Sequence, residues 1–153
     1  MITLTDKTAE ALKTWVPAMR ESYIAQRIEA GERPESARTA GTGQMDQLFP
    51  GDVPAEGQHV MDAVLDGEVV GTLWMGRPFG GDETMWFVFY VEIDPAHRGR
   101  GLGRAVMQAA EAWTAEHGGT RVGLSVMGPN TVARSLYDSL GYEVMATGMY
   151  KDL

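Results

Sequence analysis

The amino-acid sequence predicts a mixed-sheet domain of the α/β or α+β class, and three observations carry that reading. The chain has 153 residues, the usual size of one domain, and 44% of them are apolar, enough for a core without cross-links. Its periodicities give the order strand, two helices, three strands, helix, strand, helix, two strands, so antiparallel pieces surround one β-α-β crossover. Residues 85–93, MWFVFYVEI, are apolar on both faces until Glu92, the pattern of a central strand covered on each side.

Each element has a local cause. After a short strand at ITLT, residues 8–30 read as a helix, because Leu12, Trp15, Met19 and Tyr23 recur at three- and four-residue spacing. Pro17 is expected to divide or kink it and Gly31 to stop it. RPESAR starts a second helix towards Leu48, and residues 50–58 are a loop by composition. HVMDAVLDGEVVGTLWM reads as a hairpin whose two β-rich runs flank Asp66-Gly67, a dipeptide suited to a type I′ turn. Residues 77–84 form a second loop, and Pro95 ends the central strand. A helix from Gly101 to His117 carries Leu102, Val106, Ala109 and Trp113 on one stripe, with Gly118-Gly119 as its stop. RVGLSVM alternates as a strand, and Pro129-Asn130 opens a helix with Ala133, Leu136, Tyr137 and Leu140 that Gly141 closes. YEVMATGMYKDL predicts a closing hairpin.

Composition narrows the function classes. A net charge of −8 argues against a nucleic-acid-binding surface. The absence of cysteine rules out disulfides, thiolate metal sites and a cysteine nucleophile, and suits a reducing compartment. The first residues lack the basic and apolar regions of a signal peptide, and no apolar run approaches the roughly 18 residues of a membrane helix. A cytoplasmic protein without membrane or nucleic-acid partners is expected. His59, His97 and His117 have no ligand spacing, so no metal site is expected.

The charge is uneven. Residues 98–153 carry 6 Lys/Arg against 5 Asp/Glu in a chain that is otherwise strongly acidic, and half of the six fall in one octapeptide, HRGRGLGR, at 97–104. A glycine-rich turn between a strand and a helix is an anion site in principle, because the first helical N–H groups lack intrahelical partners and the dipole favours negative charge. Arg98, Arg100 and Arg104 can add charge-assisted hydrogen bonds. The alternative is a plain flexible turn with solvated arginines. A P-loop would need Lys and Ser/Thr after Gly103, where Arg104 and Ala105 stand. A dinucleotide fingerprint would need glycine at 104 and a second half-domain for which too little chain remains.

VEIDPAHRGRGLGRAVM resembles the acetyl-coenzyme A signature of the GNAT N-acetyltransferase superfamily, R/Q-x-x-G-x-G/A, with Arg98, Gly101 and Gly103 at its defining positions. VMGPNTVARSLYDSLGYE is similar to the family's N-x-x-A-x-x-L-Y-x-x-L-G-F/Y segment through Asn130, Ala133, Leu136, Tyr137, Leu140, Gly141 and Tyr142. The resemblance covers residues 59–153; residues 1–58 fit the family's layout without a signature. It implies a GNAT-like fold, with a mostly antiparallel central sheet, a β-α-β crossover and flanking helices in a single domain over 1–153. It also implies that the pyrophosphate of acetyl-CoA sits on the N–H groups of Gly99, Arg100, Gly101, Leu102, Gly103 and Arg104. The pantetheine arm would pair with Val91, Glu92 and Ile93 as a pseudo-strand where two parallel strands splay apart.

Amide formation from a thioester needs a neutral amine, and an alkyl amine titrates near about 10.4, so a proton must leave first. The family's general acid is a tyrosine at the position of Tyr137, and Asn130 lies two helical turns before it on the same face. Taken without the resemblance, Tyr137 reads better as an amphipathic core residue between Leu136 and Leu140. Some family members place a glutamate where this chain has Ser125, others where it has Phe87. Glu92 is the one acid within the central strand and is expected to be costly there unless paired or used as a base. A base role predicts that Glu92→Gln lowers turnover with acetyl-CoA affinity intact. The alternative is a carboxylate turned to solvent or paired with an arginine.

Acceptor specificity is expected from the first two helices and the loop at 77–84. Their acids would attract a cationic amine, on a small molecule or a peptide, and Trp15, Tyr23, Trp74 and Trp86 line a pocket there or simply pack. The expected function is acyl-CoA-dependent, chiefly acetyl-CoA-dependent, N-acyl transfer to a primary amine in a ternary complex, in a chain that can form a homodimer. The alternatives are a non-catalytic acetyl-CoA-binding sensor or partner module, and a small nucleotide-binding regulator.

Overall fold

The computed structural model describes residues 1–78 and 82–153, so 79–81 of the loop expected at 77–84 lie outside the described residues. The chain runs β1 (Ile2–Asp6), α1 (Ala9–Glu29), α2 (Pro34–Leu48), β2 (Gln58–Leu65), β3 (Glu68–Gly76), β4 (Met85–Ile93), α3 (Leu102–Glu116), β5 (Arg121–Leu124) and α4 (Thr131–Ser139), with single 3₁₀ turns at Pro50–Asp52 and Pro95–His97. The five strands form one sheet in chain order. β1 to β4 are antiparallel neighbours and β5 lies parallel to β4, joined to it through α3.

Local chemistry accounts for most boundaries. Thr8 caps α1 by accepting the Ala11 N–H at 3.2 Å, and the helix continues through Pro17 rather than dividing there. Asp66 and Gly67 both take positive φ, 52° and 85°, as the two central residues of a type I′ turn require. Gly118, at φ 73°, follows α3 as its left-handed stop.

The sheet buries both faces. Ile2, Met61, Leu73, Met75, Trp86 and Val88 pack with Val106, Met107 and Ala110 of α3, and Tyr137 of α4 and Leu140 just after that helix join that layer. Val60 and Trp74 pack on the other side with Val16 and Met19 of α1, Met45 and Leu48 of α2, and Phe49.

A bulge in β4 decides which residues face which layer. Trp74 pairs with Tyr90 and Met75 with Val88, which leaves Phe89 without a partner on β3. Before it Trp86 and Val88 face α3; after it Val91 and Ile93 do, while Phe89 and Tyr90 join the α1/α2 layer.

The structure departs from sequence expectation at the C-terminal side. β5 stops at Leu124 instead of running to residue 127, and residues 142–153 form no regular strand, so the closing hairpin is absent. Val144, Met145, Met149, Tyr150 and Leu153 are left exposed there. Alternating apolar residues supply a face for a strand but not the partner edge that a ladder needs.

Candidate active site

The end of β4, the turn after it and α4 enclose a cleft of about 540 Å³. Val91, Glu92 and Ile93 form one wall, Arg98, Gly99, Gly101, Leu102 and Gly103 the floor, and Asn130, Leu136 and Tyr137 the far wall. Arg100 and Arg104 are not among its lining residues; Arg104 Nη2 instead donates to Ser139 Oγ on α4 at 2.5 Å. Met107, Val132 and His97 also line the cleft, and sequence reasoning assigned them no part in it.

The floor is an unspent row of donors. Gly99 and Gly101 both take φ 74°, a left-handed backbone that costs a side-chain-bearing residue roughly 1–2 kcal/mol. Among the described residues, the backbone N–H groups from Gly99 to Arg104 donate no hydrogen bond; the first to do so is Ala105, to the Gly101 carbonyl at 3.4 Å. A Cβ on Gly101 would meet nothing within 4 Å, so the space above this turn is open. Gly103 has a different cause, since a Cβ there would already touch Leu136 Cδ2 at 3.4 Å, where α3 meets α4.

β4 and β5 pair only over Met85–Val88 and Arg121–Leu124. From Phe89 onward the β5 side of β4 has no strand partner among the described residues, so the central strand presents an open edge beside the cleft. The glycine turn lies at the end of that edge. Its N–H groups and the strand's free edge fit an extended, anion-bearing ligand such as coenzyme A.

Tyr137 is half-buried, with its ring 5.7 Å from that of Tyr142, and its hydroxyl makes no hydrogen bond to the described protein. Burial pushes its phenol above the usual tyrosine range. Asn130 caps α4, its side-chain oxygen accepting the Ala133 N–H at 3.2 Å. Glu92 is not buried: 45% of its side chain is exposed, and it is doubly tethered. Oε1 accepts from Arg98 Nη2 at 2.9 Å, and Oε2 accepts from the Tyr90 hydroxyl. Tyr90 could have been found from the period of the strand, since it stands two residues before Glu92 on the same face.

Burial is also the main reason that the Tyr90 and Tyr142 phenols are raised. In the native chain all three keep protons that an unfolded chain releases near about pH 10, so their contribution to stability is complete below that pH and is lost as pH rises through the native values. Alkaline titration followed at the tyrosinate absorbance should therefore show three of the five tyrosines resisting ionisation above pH 10. Ordinary titration of all five would contradict the packing of these rings.

The acetyltransferase (GNAT) family model matches residues 16–142. The chain belongs to that family. It is an acetyl-transfer enzyme by that membership. The uncharacterized N-acetyltransferase YycN of Bacillus subtilis is 23% identical over 99% of both chains, and its crystal structure superposes on this GNAT chain with a TM-score of 0.88. The mycothiol acetyltransferase of Amycolatopsis mediterranei is 40% identical over 50% of the chain, which spans 27% of that longer protein. The aminoglycoside N-acetyltransferase AAC(6')-Iy, solved with a coenzyme A bisubstrate analogue, shares the fold at a TM-score of 0.59 and 15% identity, covering 100% of this chain and 98% of that one. No described helix is long and apolar enough to cross a membrane, and no three His, Cys, Asp or Glu side chains among the described residues come together as metal ligands.

Proposed function

We propose that this protein transfers an acetyl group from acetyl-CoA directly to a primary amine in a ternary complex. The observation that carries the reading is the joining of two open features. The row of unspent N–H groups from Gly99 to Arg104 leads straight to the free edge of β4 from Phe89 to Ile93. The first suits a pyrophosphate, the second an amide-bearing arm laid down as an extra strand. Tyr137 stands across the cleft from that edge.

Bound there, acetyl-CoA supplies an activated acyl thioester. The residues of the chain then divide the proton traffic. Tyr137 stays protonated because it is buried, and its free hydroxyl is the donor for the departing sulfur. Glu92 is the carboxylate lining the cleft and receives the proton of the amine through water. The acceptor is a cationic amine drawn by the acid-rich N-terminal part of the chain, where residues 1–97 hold 16 Asp/Glu against 7 Lys/Arg.

Calorimetric titration with acetyl-CoA, followed by thiol-release assays on polyamines, aminoglycosides and lysine-bearing peptides, tests the reading. Micromolar binding and release of coenzyme A thiol with one of these amines is expected. A protein that binds no acetyl-CoA is not an enzyme of this kind. Glu92→Gln should lower kcat by about tenfold or more on that amine. Unchanged turnover would remove Glu92 from the chemistry.

A further inference from the structure

The glycine turn has little of its own to hold its shape. Its N–H groups are unspent, and Gly99 and Gly101 sit in a backbone region that glycine enters and leaves freely. Its C-terminal side is secured by α3 and by the Arg104–Ser139 hydrogen bond to α4. On its N-terminal side, backbone bonds from His97 to Asp94 and from Arg98 to Pro95 close only the 3₁₀ turn onto itself. Three contacts tie that side to the sheet: the Asp94 N–H donates to the Val70 carbonyl at 2.9 Å, His97 Nε2 lies 3.4 Å from Glu68 Oε1 on β3, and the Arg98 side chain, nearest to the glycines, reaches β4. Arg98 folds back on β4, donating from Nε to the Ile93 carbonyl at 2.8 Å and from Nη2 to Glu92 at 2.9 Å. Glu92 in turn accepts from the Tyr90 hydroxyl. Tyr90 is rooted in the aromatic layer under α1, its ring edge-on to Trp15 at 6.1 Å and its backbone paired with Trp74.

We infer that Tyr90 is a positioning residue for cofactor binding, acting through Glu92 and Arg98 to fasten the start of the pyrophosphate turn to the α1/α2 layer. The inference rests on the acetyl-CoA reading for what the turn holds. It changes the part given to Arg98: the guanidinium is committed to β4 as a fastener, and the backbone N–H groups do the binding. A phenol in this apolar setting is well placed to serve, since its ring packs while its hydroxyl reaches a charged acceptor. The bulge at Phe89 sets the parity that turns both Tyr90 and Glu92 to this side of the strand. Because Glu92 also holds Arg98, Glu92→Gln should weaken acetyl-CoA binding as well as turnover, contrary to the clean separation expected from sequence.

The test is Tyr90→Phe, which keeps the ring and removes the hydroxyl. Amide hydrogen exchange in the ligand-free protein should quicken about three- to tenfold at the hydrogen-bonded amides of His97 and Arg98 that lead into the turn, with exchange in α1 and β3 unaltered, and the Kd for coenzyme A should rise by a similar factor. The double variant Tyr90→Phe with Arg98→Lys should bind no worse than the weaker single variant, since both act through one tether. Exchange at those two amides and Kd within twofold of the wild type overturn the inference. So does loosening spread evenly over α1 and β3, which would make Tyr90 only a packing residue, and so does additivity in the double variant. A wild-type protein that binds no coenzyme A sinks the acetyltransferase reading instead, and the exchange comparison still decides the fastener.

Discussion

A Gly101→Glu variant is expected to fold and to lose coenzyme A binding by about two orders of magnitude or more, close to 3 kcal/mol. The position has φ 74° and open space around the missing Cβ, so the added side chain meets no wall and costs the fold mainly the left-handed strain. What it does is place a carboxylate where the N–H row should meet a phosphate, exchanging attraction for repulsion in the same few ångströms. Gly101→Ala separates the two effects, because it carries the strain without the charge and should weaken binding only severalfold. Calorimetry beside a thermal melt checks both. Full-strength binding by the glutamate variant would mean that HRGRGLGR is a turn and nothing more.

Tyr137→Phe is expected to lower kcat by about 10²- to 10⁴-fold with acetyl-CoA affinity and melting temperature little changed. The ring keeps its place beside Tyr142, and the lost hydroxyl has no hydrogen bond to the described protein, so the substitution should leave packing intact. The raised phenol also suits the chemistry. The acid stays protonated into the alkaline range where the free-amine fraction of the acceptor grows. Steady-state kinetics on the best amine, with the Kd measured separately, gives the split. An unchanged kcat would remove Tyr137 from the chemistry, whereas tight acetyl-CoA binding with no transfer to any amine is what a non-catalytic sensor predicts.

Features fixed by short-range chemistry were legible in the sequence. The Asp66-Gly67 turn, the stops at Gly31 and Gly118 and the N–H row after Arg98 each depend on a few neighbouring residues, and each stands where the spacing put it. Features that depend on a distant partner were not. Nothing in MWFVFYVEI shows that Phe89 will be skipped by β3, since that follows from how Trp74 and Met75 sit opposite. For Glu92 the sequence left open a base and a carboxylate turned to solvent or paired with an arginine; the structure has it half exposed and paired, but which arginine could not be read, because the bond to Arg98 forms only when the 3₁₀ turn at Pro95–His97 folds the chain back. Residues 142–153 carry a strand's alternation and no ladder, because pattern alone cannot supply an edge.

The skipped residue at Phe89 is a unit of slack in the central strand, one residue that the ladder does not count. Substituting Phe89 alters a side chain and leaves the numbering of the faces as it was, so a point-mutation scan would score the position as one aromatic among several. Deleting Phe89 would let the ladder close with everything downstream still on its present face, because Val88 faces α3 and Tyr90 would follow it on the α1/α2 side, where it already lies, so Glu92 would keep its reach to Arg98. A deletion scan along β4 should thus find the loss of Phe89 better tolerated than the loss of either neighbour, a contrast that no substitution scan can register.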